Sequence, residues 1–183
     1  MKTKDLTLVS LFAALTAVGA FISIPLGPVP LTLQTLFVLI SGYVLGAKKA
    51  ALSQLVYIAL GLVGLPIFSG FSGGIQTILK PSFGFLIGFV ASAFVVGYIS
   101  RNNRSFFGYL LAGALGTVVI YTIGIPYMAF ILNTVMDSGL SLERILQIGI
   151  IAFLPGDTVK LVIAAYLGKR LNVSILSSDR DLS

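Results

Sequence analysis

Two ionic side chains, Asp157 and Lys160, stand in the otherwise apolar stretch IGIIAFLPGDTVKLVIAAYLG near the end of the chain. Insertion scales place either ion at roughly +2.5 to +3.5 kcal/mol near the centre of a membrane helix, so both are expected to face the protein interior, paired with each other or with a ligand. Their three-residue separation sets them on one helical face. Just upstream, Pro155 removes a backbone donor and Gly156 loosens the chain, which predicts a kinked or broken helix near Pro155. Asp157 then sits close to the start of a half-helix, where unpaired amides and the dipole favour an anion, and transporters place substrate sites at such breaks. The alternative is a structural ion pair joining two helices, with Lys160 reaching toward the membrane surface. A ligand-binding role is the preferred reading.

Other chemistry is sparse. The chain has no His and no Cys, which removes disulfides, thiol catalysis, zinc sites built on those ligands and imidazole acid/base work. The segment GFSGG, Gly70 to Gly74, matches the Gly-x-Ser-x-Gly pattern of some serine hydrolases around Ser72. A serine nucleophile needs a base, and Lys80 is the only amine nearby, so a ligand-contacting or flexible loop is the better reading. Asp157 is the only acid inside a candidate span, whereas an intramembrane aspartyl protease needs two. No Gly-x-x-x-x-Gly-Lys-Ser/Thr loop is present, so ATP-driven work would need partner subunits. The expectation is a non-enzyme without metal or cofactor.

The elements that position these residues follow from composition. The 183 residues are 57% hydrophobic and only 10% charged, against roughly 25% charged in a soluble domain. Mean hydropathy is +1.04. Apolar runs extend from Leu6 to Ile24, Leu31 to Gly46, Ala50 to Leu65, Phe83 to Ser100, Phe106 to about Val135, and Ile145 to Gly168. They predict an all-α membrane protein, a bundle of six transmembrane helices filling residues 1–183 as one membrane domain. The second and third runs are short for a bilayer core of about 30 Å, so each could be a tilted or re-entrant segment. The first run follows Lys2 and Lys4 and could imitate a signal peptide, but further spans follow at once.

Charge sets the expected orientation. With the amino terminus inside, the cytoplasmic side holds Lys2, Lys4, Lys48, Lys49, Arg101, Arg104, Lys169, Arg170 and Arg180, while the outer side keeps Lys80 and Arg144. Both termini are therefore expected in the cytoplasm. The net charge of +6 is spread in pairs between apolar runs rather than along one face, which excludes a nucleic-acid partner. Two outer connections carry unusual backbone. Pro25, Pro28 and Pro30 favour an extended or turning chain, and Gly70, Gly73 and Gly74 permit positive φ. In the first span Ala13 and Ala17, with Gly19 and Ala20 close by, offer a small surface for another helix, either in a partner or in this chain.

The strings GPVPLTLQ at Gly27 to Gln34, FSGFSGG followed by GFLIGF at Gly84 to Phe89, and FLPGDTVK at Phe153 to Lys160 together resemble the BioY family, the biotin-specific substrate-capture subunits of energy-coupling-factor (ECF) importers. The resemblance spans nearly the whole chain. It implies a multi-pass subunit of a prokaryotic cell membrane that binds biotin from the outer face, with an ATPase pair and a transmembrane coupling protein supplying energy. By position, the implied substrate site holds Asp157, Lys160, Thr32, Gln34 and Gly73, and Ala13 and Ala17 match the surface that meets the coupling protein. Biotin enters as transported ligand: Asp157 would accept from its ureido ring, Lys160 would balance Asp157 and donate, Thr32 and Gln34 would complete polar contacts, and Lys80 would meet the carboxylate. The chain departs from the family at Lys80, Pro81, Ser82 and Phe83, where a glycine-proline-threonine-glycine turn is expected. An S component for another vitamin, or a structural or assembly subunit, is the alternative function.

Overall fold

The computed structural model describes residues 2–180, with side chains described as far as Leu171. Arg180, counted above among the cytoplasmic cations, falls outside the described side chains, and the terminal residues Met1 and Ser183 fall outside the described residues altogether. The fold is an all-α helix bundle with a two-residue antiparallel ladder at one end. Its helices are α1 (Thr3–Phe21), α2 (Gln34–Leu45), α3 (Ala47–Val63), α4 (Phe83–Ile99), α5 (Phe106–Phe130), α6 (Leu142–Leu146) and α7 (Leu154–Arg180). Wide-wound turns continue α5 through Ile131–Val135 and α6 through Gln147–Ile151.

Among the described residues three helical stretches are long and apolar enough to cross a membrane, Thr3–Phe21, Phe106–Val135 and Leu142–Leu171, while α2 and α4 are apolar but shorter. At about 1.5 Å per residue, the twelve residues of α2 rise only about 18 Å. The second apolar run loses its first residues because Leu31–Thr32 form strand β2, paired with β1 at Ser23–Ile24 in the register Ser23 to Thr32 and Ile24 to Leu31. The proline-rich connection, Pro25 to Pro30, is thus the loop of a short hairpin. The first run likewise ends as helix at Phe21 because its last residues enter that ladder.

Between α2 and α3 a single residue reverses the chain. Gly46 has φ +74° and ψ 170°, a conformation open to glycine, and its N–H closes α2 on the Gly42 carbonyl. The last apolar run breaks where expected: Pro155 has no N–H to give the Ile151 carbonyl, Ala152 and Phe153 form a turn, and α7 begins at Leu154.

Small residues let α4 and α5 pack closely in antiparallel register. A side chain added at Gly84 would strike Tyr127, one at Gly88 the Ile120 backbone, and one at Gly116 the side chains of Val96 and Ser92. The buried apolar residues divide into two groups. One surrounds the hairpin end and includes Val38, Tyr57, Phe68, Phe85, Phe89 and Phe153. The other fills the opposite end with Phe12, Leu39, Tyr43, Val96, Tyr109 and Ala164. Large apolar side chains are also exposed outside, including Val63, Leu111, Val118, Ile151 and Val159, as a surface facing hydrocarbon requires.

Candidate functional site

The break before α7 places Asp157 in the first turn of that helix and Lys160 one turn on, both on the inward face. They are 7% and 5% exposed, and the Lys160 ammonium pairs with Asp157 Oδ1. The pair is extended in two directions. Tyr121 of α5 donates its hydroxyl to Asp157 Oδ2, and Lys160 Nζ donates at 2.9 Å to the backbone carbonyl of Thr32 in β2. Each buried charge therefore has a counter-ion and a hydrogen-bond partner, the condition under which burial is tolerable.

From Thr32 the polar chain continues across the bundle. The Thr32 hydroxyl donates to Gln34 Oε1 at 2.9 Å, and Gln34 Nε2 donates to the Tyr57 hydroxyl at 2.8 Å. That hydroxyl in turn donates to the Ile67 carbonyl at 3.1 Å. One network thus joins α7, the hairpin, α3 and the loop that follows α3. That loop is held by a bridge between Phe68 and Ser72 and by Gly70 at φ +71° and Gly74 at φ +87°. Phe71, between them, has φ +54°, an unusual conformation for a residue with a side chain.

The hairpin, this glycine loop, α4, α5 and α7 line a half-open cavity of about 230 Å³. Asp157, Lys160, Thr32 and Gln34 line it, as do Phe68, Phe85, Leu86, Phe89, Ile120 and Phe153. Tyr121 and the hydroxyl residues Ser69, Ser72, Thr77 and Ser82 add polar groups, and exposed Lys80 stands at the rim. Thr77 is 2% exposed and its hydroxyl has no protein partner, leaving an unsatisfied group on the wall. Few polar groups converge on an aromatic surface, the usual make-up of a small-molecule site. Among the described residues no cluster of three metal-ligating side chains occurs.

Gly73 is placed differently from the sequence reading. It does not line the cavity, and it is not among the glycines with positive φ. Its missing side chain is what matters: a Cβ there would collide with the Leu65 carbonyl, so Gly73 lets the loop fold back on the end of α3. Gly156 is likewise a matter of space, because a Cβ would come within 2.9 Å of Leu31 Cδ2 in the hairpin. Ala13 and Ala17 are 4% and 9% exposed and pack into this chain's own core. The open face of α1 is instead Thr7, Ser10, Leu11, Ala14 and Val18.

Sequence reasoning missed Tyr121 and Thr77, and it did not single out the phenylalanines of the cavity wall, Phe68, Phe85, Phe89 and Phe153. Tyr121 lies in a long apolar run with nothing in its neighbours to separate it from lipid-facing tyrosines such as Tyr98.

A relative from Thermotoga maritima named "Biotin transporter BioY" is 42% identical over 168 residues, covering 92% of this chain and 95% of its own. One from Pyrococcus horikoshii named "Probable biotin transporter BioY" is 41% identical, with 93% of this chain and 98% of its own covered. The crystal structure of the S-component for biotin from an ECF-type ABC transporter superposes with a TM-score of 0.83 at 28% identity, covering 94% of both chains. The BioY family itself matches residues 1–176, and the chain belongs to the BioY family.

Proposed function

We infer that the protein is the substrate-binding S component of an ECF-type biotin importer. The observation that carries this reading is the buried Asp157–Lys160 pair on the wall of a cavity bounded by two loops. Biotin's ureido ring presents N–H donors to a carboxylate and a carbonyl to an ammonium or hydroxyl. Its thioether ring and aliphatic tail suit Phe85, Phe89 and Phe153, and its carboxylate suits Lys80 at the rim. Asp157, Lys160, Thr32 and Gln34 form the polar half of the site, and Gly73 shapes the glycine loop that borders the ligand.

The chain forms one membrane domain of six crossings with both termini cytoplasmic, α2, α3 and α4 being the short crossings. Support comes from the cations: Lys48 and Lys49 at the α2–α3 reversal and Arg101 and Arg104 after α4 lie together at the end opposite the cavity, the expected inner side. Energy comes from a transmembrane coupling protein and ATPase subunits, which dock on the open stripe of α1, Thr7, Ser10, Leu11, Ala14 and Val18, with Ala13 and Ala17 packed behind it.

Isothermal titration of the purified protein tests the substrate. Biotin should bind at least a hundredfold tighter than thiamin or riboflavin, and comparable affinities for the three would reject the assignment.

A further inference from the structure

At the end opposite the cavity lies a second depression of about 530 Å³, lined by the last turn of α2, the α2–α3 reversal, the last turns of α4 and the turn into α5. The seventeen residues of α4 separate the two ends by about 25 Å. Gly97 shapes this groove. A Cβ there would lie 2.5 Å from the Gly46 carbonyl carbon and 2.7 Å from the Ala47 Cα, so the end of α4 rests directly on the reversal. The contact brings Lys48 and Lys49 from one loop and Arg101 and Arg104 from the other around one space.

Among the described residues no Asp or Glu lines the groove. Lys49 is neutralised by Asp5 of α1, but Lys48, Arg101 and Arg104 are exposed and have no ion-pair partner among the described residues. Three like charges gathered without a counter-ion repel one another, and an anion between them relieves that repulsion. Apart from Ser100, the rest of the lining is small, aliphatic or aromatic, with Tyr43, Val44, Leu45, Phe94 and Tyr98 its large side chains. Phe94 and Tyr98 are 45% and 65% exposed and continue the groove onto the outside of the bundle, where hydrocarbon lies. Aromatic side chains at that level match the interface between headgroups and acyl chains. The occupant that suits both halves carries a phosphate on an apolar body.

We propose that this groove binds the headgroup of an anionic phospholipid, with Lys48, Arg101 and Arg104 on the phosphate oxygens and Phe94 and Tyr98 against the adjoining glycerol and acyl chain. Basic pockets between helices at the cytoplasmic surface recognise such headgroups by the same chemistry. The site is independent of the ligand cavity and of what that cavity holds.

Native mass spectrometry of the purified protein with added cardiolipin, phosphatidylglycerol or phosphatidylcholine tests this. Wild-type protein should retain either anionic lipid at least tenfold more than phosphatidylcholine, and raising salt should erode the preference. The variant K48Q/R101Q/R104Q should lose it, while K48R/R101K/R104K should keep it. Equal retention of phosphatidylcholine, undiminished retention by the glutamine variant, or displacement of the lipid by millimolar inorganic phosphate would overturn the proposal. Should the glutamine variant fail to fold, salt-insensitive retention by wild-type protein would overturn it equally.

Discussion

Lys160 in α7 donates a hydrogen bond to the backbone carbonyl of Thr32, 128 residues earlier in the chain. A side chain that the bundle must bury thereby grips the hairpin that closes the cavity. The ion pair and the shape of the cavity's mouth are consequently one structural unit, and disturbing either should be felt by the other.

Removing Lys160 alone should be more damaging than removing both ions. Lys160→Met leaves Asp157 buried without a counter-ion, a loss of about 3–5 kcal/mol, whereas apolar replacement of a whole buried pair is often neutral. The double variant Asp157→Leu with Lys160→Met should therefore unfold at a higher temperature than Lys160→Met, yet bind no biotin. Circular dichroism is the suitable probe because the chain has no Trp. A double variant that still imports biotin would reduce the pair to a helix-joining device.

Tyr121→Phe should act through Asp157. Loss of the hydroxyl leaves Asp157 Oδ2 without its donor in a site almost closed to water, at a cost of about 1–3 kcal/mol. Lower thermal stability and weaker biotin affinity in titration should appear together.

The Tyr57 hydroxyl joins Gln34 to the Ile67 carbonyl, and so joins the hairpin side to the loop after α3. Tyr57→Phe strands both partners and should speed release of bound biotin more than it slows association, because the enclosing loops lose their common anchor. Surface plasmon resonance separates the two rates. Unchanged dissociation would show that the loops are held without this link.

Two glycine substitutions should differ in severity. Gly156→Ala meets only the end of the Leu31 side chain, which can rotate away, whereas Gly73→Ala meets the Leu65 backbone carbonyl, which cannot. Gly73→Ala should cost about 1–3 kcal/mol by overpacking, and Gly156→Ala distinctly less, as read from the two melting curves.

The sequence made the helices legible where physical constraints were local. Pro155 cannot donate to Ile151, so the break before α7 could be read from its type alone, and the Lys48–Lys49 and Arg101–Arg104 pairs marked one end of the bundle. Burial cost made Asp157 and Lys160 visible for the same reason. Residues whose roles depend on distant partners were hidden. Tyr121 looks like any tyrosine of an apolar run until α7 brings Asp157 against it, and Thr77 is unremarkable until it is found buried at the cavity wall with its hydroxyl unpaired. Gly156 could be read as a flexible point and Gly73 as part of the implied substrate site, but not the clearance that each gives, to Leu31 and to Leu65. The close spacing of Ala13 and Ala17 indicated a helix contact without saying whose, and within this chain they serve the core.

The most direct measurement is the biotin affinity of Asp157→Asn beside that of the wild-type protein, with helical content verified for both. Losing a charged hydrogen bond to the ureido ring is worth about 1.5–3 kcal/mol, roughly a ten- to hundredfold weakening. A folded variant that binds biotin as tightly as the parent would contradict the placement of that carboxylate on the ligand.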